Sequence, residues 1–291
     1  MNALQRGLVC CLAMALIGAP SISGALTLVD NFNSKPIDPD TWFGFESGGT
    51  SDTPIEELFR GIVADFITGT GGLLGLTLTS YGDTSSNTGF ARHQQGLNMQ
   101  DPGGITTLKA RVIIHKATAQ SCPANSDSSS AGARLIGALF NSVSAAKAGT
   151  GDRTGDVLAV FDKVLDSGTG PLPVPTHAIE ASLVLCNDHD CTAPAVLPGT
   201  AKKTFDPKHW AFDAPQTLIW DWDKVGSKVT FTVGPGTLHE EAHPIAYSQV
   251  NMGDPGLDFK SVRAINKVAN CTAGRRQSLI EVGFDNVFTN P

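Results

Sequence analysis

Residues 216–233, QTLIWDWDKVGSKVTFTV, constrain the fold more than any other stretch of the chain. Leu218, Trp220 and Trp222 alternate with Ile219, Asp221 and Asp223. In an extended strand successive side chains point to opposite faces, so one face here is apolar and the other polar. The KVGSK that follows carries turn residues, and Val229, Phe231 and Val233 repeat the alternation on the way back. A hairpin with one apolar face is stable only when that face is buried against other elements. Trp220 and Trp222 are therefore read as core residues rather than as platforms for a sugar ring.

The same signature recurs along the chain. In residues 105–116, ITTLKARVIIHK, Leu108, Ala110, Val112 and Ile114 share a face. Residues 133–140, 157–161, 178–185 and 280–288 read as further strands. Gly (31 residues) and Pro (17 residues) punctuate the runs, and few stretches sustain a helical period. The sequence thus predicts an all-β protein, a two-sheet antiparallel β-sandwich of jelly-roll type. It allows a short helix only around residues 54–66 or 142–147. The polar loop 121–132 and the Gly/Pro-rich loop 166–175 are flanked by strands of one character, and no internal repeat is visible. A single domain is expected over residues 26–291.

The first 25 residues read as a cleaved secretory signal peptide. Arg6 precedes an apolar run over residues 8–19, and Ser23-Gly24-Ala25 supplies a small-residue ending. The run is too short to span a bilayer, and no membrane insertion is expected. Removing Arg6 takes the formal net charge from −7 to −8. An acidic exported chain is a poor partner for nucleic acid or anionic membranes. Outside the leader four cysteines remain, which permit three pairings. Cys186 and Cys191 bracket a short polar loop, so the expected bonds are Cys186–Cys191 and Cys122–Cys271, in a secreted or periplasmic protein. A metal site from Cys186, His189 and Cys191 is the rival, but C-x4-C is not a usual zinc spacing.

His239-Glu240-Glu241-Ala242-His243 spells H-E-x-x-H, which on a helix presents two zinc-binding imidazoles and a general base. Three features argue against a zinc hydrolase. Strand-like VTFTV and Gly234-Pro235-Gly236 precede the motif. Pro244 follows it and disfavours the helical region at His243. The positions where an extended motif carries Gly and His hold Ala246 and Gln249. Zn2+ is therefore not the expected cofactor. On a strand His239, Glu241 and His243 would share a face as a surface metal site, with Glu240 pointing away.

LVDNFNSKPIDPDTWFGF at residues 28–45, the 217–233 hairpin and the closing GFDNVF at residues 283–288, taken in order, resemble the concanavalin A-like, laminin-G-like jelly rolls. ASLVLCNDHDC and NKVANCTAG further resemble exported bacterial proteins of unassigned role with this architecture. The resemblance implies that the last strand lies beside the first. It also implies that Asp30 and Asp285, on those strands, are candidate Ca2+ ligands. The superfamily includes glucanases, polysaccharide lyases, lectins and adhesive modules, so fold does not fix function. The glucanase signature E-x-D-x-x-E is absent, the nearest acidic strand being Glu281-Val282-Gly283-Phe284-Asp285. The alginate-lyase Gln-x-His order is reversed in His93-Gln94-Gln95, with Arg92 adjacent rather than opposite. The leading expectation is a non-catalytic module binding polysaccharide or a cell-surface glycan, with Trp42 and Trp210, near turns, as candidate exposed ligand-binding aromatics. The alternative is a polysaccharide hydrolase or lyase of the same fold.

Overall fold

In the computed structural model, residues 25–65, 67, 71–143, 147–248 and 252–290 are described. Nearly all of the leader, residues 1–24, and part of the 142–147 segment lie outside them. The strands are β1 Thr27–Asp30, β2 Trp42–Ser47, β3 Ile55–Ala64, β4 Gly72–Tyr81, β5 Phe90–Met99, β6 Thr107–Ala119, β7 Ser130–Asn141 and β8 Asp156–Asp166. They continue as β9 Thr176–Cys186, β10 Pro194–Val196, β11 Lys203–Thr204, β12 Gln216–Asp223, β13 Lys228–Val233, β14 Glu241–Ala246, β15 Lys260–Ala269 and β16 Gln277–Thr289. Each sheet has eight strands: β14-β13-β12-β6-β16-β4-β3 with β1 on β16, and β10-β9-β8-β7-β15-β5-β2 with β11 on β9. The architecture is the two-sheet antiparallel sandwich that the alternation predicts.

The core lies between the sheets and follows the period of two. Leu108, Ala110, Val112 and Ile114 of β6, and Leu218 and Trp220 of β12, are fully buried; Trp222 is 9% exposed. Phe231 meets Phe161 edge to face at 5.3 Å, and Trp220 is opposed by Gly137 of β7. A Cβ at residue 137 would stand 2.7 Å from the indole, so the missing side chain is what lets the large ring fit. The turn between β12 and β13 is tied by Asp223, whose carboxylate accepts from the Gly226 N–H at 2.7 Å.

The described residues of the 54–66 segment do not form a helix. Ile55–Ala64 pairs along β4 as an edge strand, because nine cross-strand pairs outweigh a short segment's local helical preference. The first strand does lie beside the last, with Thr27 opposite Thr289 and Leu28 opposite Phe288. Cys122–Cys271 ties the 121–129 loop to the end of β15, and Cys186–Cys191 closes the loop after β9.

Candidate functional site

The sequence-predicted residues fall in four places. Trp42 is 2% exposed. Its Nε1–H donates to Asp30 at 3.0 Å, and its ring leans on Phe32. Trp210 is 9% exposed, wedged between His177 at 4.1 Å and Phe212 at 4.8 Å. Neither is an exposed platform. A large ring beside a turn is drawn into the sandwich end whenever apolar neighbours are there to cover it, and both indoles anchor their turns.

Asp30 and Asp285 do sit on paired strands. Asp30 accepts from the Phe32 N–H at 2.7 Å and from Trp42. Asp285 accepts from Asn286 at 2.6 Å and pairs with Arg111 at 3.1 Å. Arg111 also pairs with Asp65. Burial, with Asp65 and Asp30 adding to it, holds the Asp285 carboxyl above its ordinary range against the hydrogen bond from Asn286 and the charge of Arg111. A guanidinium already supplies the positive charge among these carboxylates, and this donor set does not fit Ca2+. Among the described residues no group of three or more His, Cys, Asp or Glu is placed to hold a metal ion.

The H-E-x-x-H segment is a turn running into β14, not a helix. His239 lies in an exposed turn. Glu240 accepts from the Gly236 N–H at 2.6 Å and so braces its own loop. Glu241 accepts from His243 at 2.8 Å, from His209 at 3.1 Å and from the Asp206 N–H at 3.0 Å. His209 was invisible as a partner because it is 32 residues away, in the Pro207–His209 turn. The arrangement staples that turn to edge strand β14. His93 and Gln95 point into the core as well. The His93 ring contacts the Thr53 carbonyl at 3.0 Å, and the Gln95 amide donates to Phe59 O at 3.0 Å. Burial lowers the His93 pKa, and neither side chain faces a cleft.

The chemistry gathers instead on the outer face of the second sheet. An open cleft of about 830 Å3 is lined by Phe43 and Phe45 of β2, Phe90, Arg92, Gln94 and Asn98 of β5, Arg134 of β7, Asp162 of β8 and Arg263 of β15, with Arg153 and Phe259 from adjoining loops. The volume lies in the range of ligand sites, about 300–1,000 Å3. A hollow of about 250 Å3 continues it across Arg92, Arg134, Asp162, Glu180 and Lys267.

Register builds this face. Phe45 pairs with Gly96, Gly96 with Arg263, Arg263 with Arg134, Arg134 with Asp162 and Asp162 with Glu180, one row across six strands. A Cβ on Gly96 would stand 3.1 Å from Cγ of Arg263 and closer still to the backbone of β15. The bare backbone lets the Arg263 side chain reach toward Phe45, whose ring centre is 4.4 Å from the guanidinium carbon. Phe259 lies at 4.8 Å from the same carbon, and Arg153 stacks on Phe259 at 5.0 Å. Arg134 forms a fork with Asp162, two bonds of 2.7 Å each. Phe90 carries Lys267 at 4.2 Å and Arg92 at 5.6 Å. The disulfide loop forms one rim through Cys191, Thr192 and Pro194. Asp188 accepts from the Thr192 and Ala193 N–H groups at 2.7 Å each and keeps that rim in one conformation.

No protein-family model matches this chain, and no curated protein sequence matches it. Solved structures similar to it include the potassium-bound carbohydrate recognition domain of Emp46p, at 10% identity over 89% of this chain and 96% of that one, TM-score 0.38. The exoplasmic/lumenal domain of VIP36, bound to Ca2+ and Man3GlcNAc, is similar at 10% identity over 90% of each chain, TM-score 0.34. So is a glycosyl hydrolase family protein from Mycobacterium fortuitum, at 13% identity over 89% and 98%, TM-score 0.34.

Proposed function

We propose that this chain is an exported saccharide-binding module whose binding surface is the outer face of the second sheet. The carrying observation is the cleft itself. It combines the rings of Phe43, Phe45 and Phe90, which suit the apolar faces of pyranose rings, with Gln94, Asn98 and guanidinium donors, which suit hydroxyls. The row of side chains runs across six strands, long enough for a polymer rather than a single small molecule. Export rests on the 1–25 leader and on two disulfides, which persist in oxidising compartments.

Binding is favoured over cleavage by how the cleft's carboxylates are engaged. Glycoside hydrolysis uses a protonated acid and a free carboxylate facing one another across the bond. Here both oxygens of Asp162 accept from Arg134. Asp258 is held by Lys260 at 2.6 Å and Asp190 by His189 at 2.8 Å.

The test is affinity electrophoresis of the disulfide-bonded protein through a panel of plant and bacterial polysaccharides. At least one should retard it. Phe43→Ala and Phe90→Ala, both at exposed rings, should each weaken that retardation about tenfold without lowering the melting temperature. A protein that no polysaccharide retards, or variants as retarded as the parent, would refute the assignment. Release of reducing or unsaturated ends from the retarding polymer would replace it with the enzyme reading.

A further inference from the structure

Among the described residues Arg263 is the buried guanidinium of the binding face, and its environment reads as incomplete. It is only 6% exposed. Its hydrogen bonds go to Ser261 Oγ at 3.0 Å, Gln94 Oε1 at 3.0 Å and Asn98 Oδ1 at 3.4 Å, all neutral oxygens. A guanidinium has five N–H donors, so one remains on each terminal nitrogen. Among the described residues no ion pair forms at Arg263, Arg92 or Arg153, whereas the neighbouring Arg134 is matched by Asp162. Burial, with the like charges of Arg134 and Arg153 adding to it, pushes the Arg263 guanidinium well below its ordinary range. Buried charges are normally paired, because desolvation without a counter-charge is costly.

The remaining surroundings hold this cation in one orientation. Phe45 and Phe259 lie within 5 Å of its central carbon, and Gly96 leaves the room it crosses. Rings of this kind orient a guanidinium without neutralising it. The paired oxygens of a carboxylate or a sulfate ester match a guanidinium fork, and the aromatic rings beside it suit the sugar to which such a group is attached.

We propose that the saccharide taken by this cleft is acidic, its carboxylate or sulfate group seated on Arg263 with Arg92 and Arg153 beside it. The proposal rests on the saccharide-binding reading and names its ligand class. The formal charge of the whole chain is −7, so long-range attraction of a polyanion is weak and recognition falls to this local group of cations.

Two acidic probes and their neutral counterparts test it: polygalacturonate against its methyl ester, and dextran sulfate against dextran. Single-stranded DNA is the control polyanion. By calorimetry one acidic probe should bind about tenfold or more tighter than its neutral counterpart, and which one does identifies the acid group. Arg263→Gln should abolish the preference while weak binding of the neutral polymer persists. Arg263 is buried, so exposed Arg92→Gln serves as the second variant. It should weaken the acidic probe by a clearly larger factor than the neutral one and keep the parent's melting temperature; an equal loss for both probes counts against the proposal. Equal affinity for acidic and neutral polymers overturns the proposal while the saccharide reading stands. Binding of no saccharide at all removes both. DNA bound as tightly as the acidic saccharide, with the same loss in Arg263→Gln, overturns it in favour of a general polyanion site.

Discussion

Replacing Lys163 by Met should stabilise the protein at neutral pH and flatten its alkaline stability profile. Lys163 lies on the inward side of β8 and is fully buried. Its Nζ donates to the carbonyls of Ala211 at 3.2 Å and Ala214 at 3.3 Å and stands 5.4 Å from the Trp210 ring centre. Neither hydrogen-bond partner is a carboxylate. Burial pulls its pKa from 10.5 down to about 8. A folded-state pKa below the unfolded value means that the unfolded chain holds more protons between those limits, so stability rises with pH through that window. The charged amine therefore disfavours the fold by about 3 kcal/mol at pH 7, and about 2 kcal/mol is recovered by pH 9.5. Met removes the penalty but leaves two carbonyls without this donor, at roughly 1 kcal/mol each. The net expectation is a gain of about 1–2 kcal/mol at pH 7 that shrinks to nothing or reverses by pH 9.5. Urea titrations of parent and variant at both pH values measure it, and the difference between the proteins cancels the titration of every other lysine. A difference that does not change with pH would refute the argument, and with it the idea that Lys163 is charged inside the sandwich.

The two disulfides should differ in their effects. Loss of Cys122–Cys271, whose ends lie 149 positions apart, should cost about 5 kcal/mol, and loss of Cys186–Cys191, 5 positions apart, about 2 kcal/mol, both read from denaturant midpoints of the paired Ala variants. Cys186→Ala/Cys191→Ala should in addition weaken polysaccharide retardation, because that loop forms a rim of the cleft. Equal stability losses would contradict this division. Glu240→Gln should leave polysaccharide binding and the melting temperature within error and reveal no peptidase activity to lose, since Glu240 braces only the 236–240 loop. A peptidase activity abolished by that change would restore the zinc reading.

Much of the fold is legible because a sandwich strand writes its burial as a period of two. Residues 216–223 are predicted and observed as one strand, with Trp220 and Trp222 directed inward. The cysteine pairing is legible because a short Cys-to-Cys loop leaves only one partner for each remaining cysteine. The helix expected around residues 54–66 fails because an edge strand reading IEELFRGIVA carries no clean alternation, and its pairing with β4 is set by contacts beyond any local window. Trp42 and Trp210 fail for a related reason. A turn residue's exposure depends on what packs over it, and Phe32, His177 and Phe212 supply that cover.

The proposed binding face is hidden from sequence for a reason that belongs to sheets in general. Arg92, Arg134, Arg153 and Arg263 come from well-separated parts of the chain, and each is unremarkable in its own segment. What gathers them is register: β15 lies between β5 and β7, so that residue 263 meets residue 96 on one side and residue 134 on the other. A slip of one residue in either pairing would send Arg263 into the core and scatter the group. The net charge misleads in the same way. It averages 28 acidic side chains with 21 basic ones over the whole chain, and so reports an acidic protein. The cleft draws from that total a local excess of guanidinium groups, with the principal carboxylate, Asp162, already consumed by Arg134. Charge exclusion from composition therefore concerns only long-range attraction to nucleic acid or membrane. It says nothing about a short-range anion site of the kind proposed around Arg263, which strand pairing alone assembles.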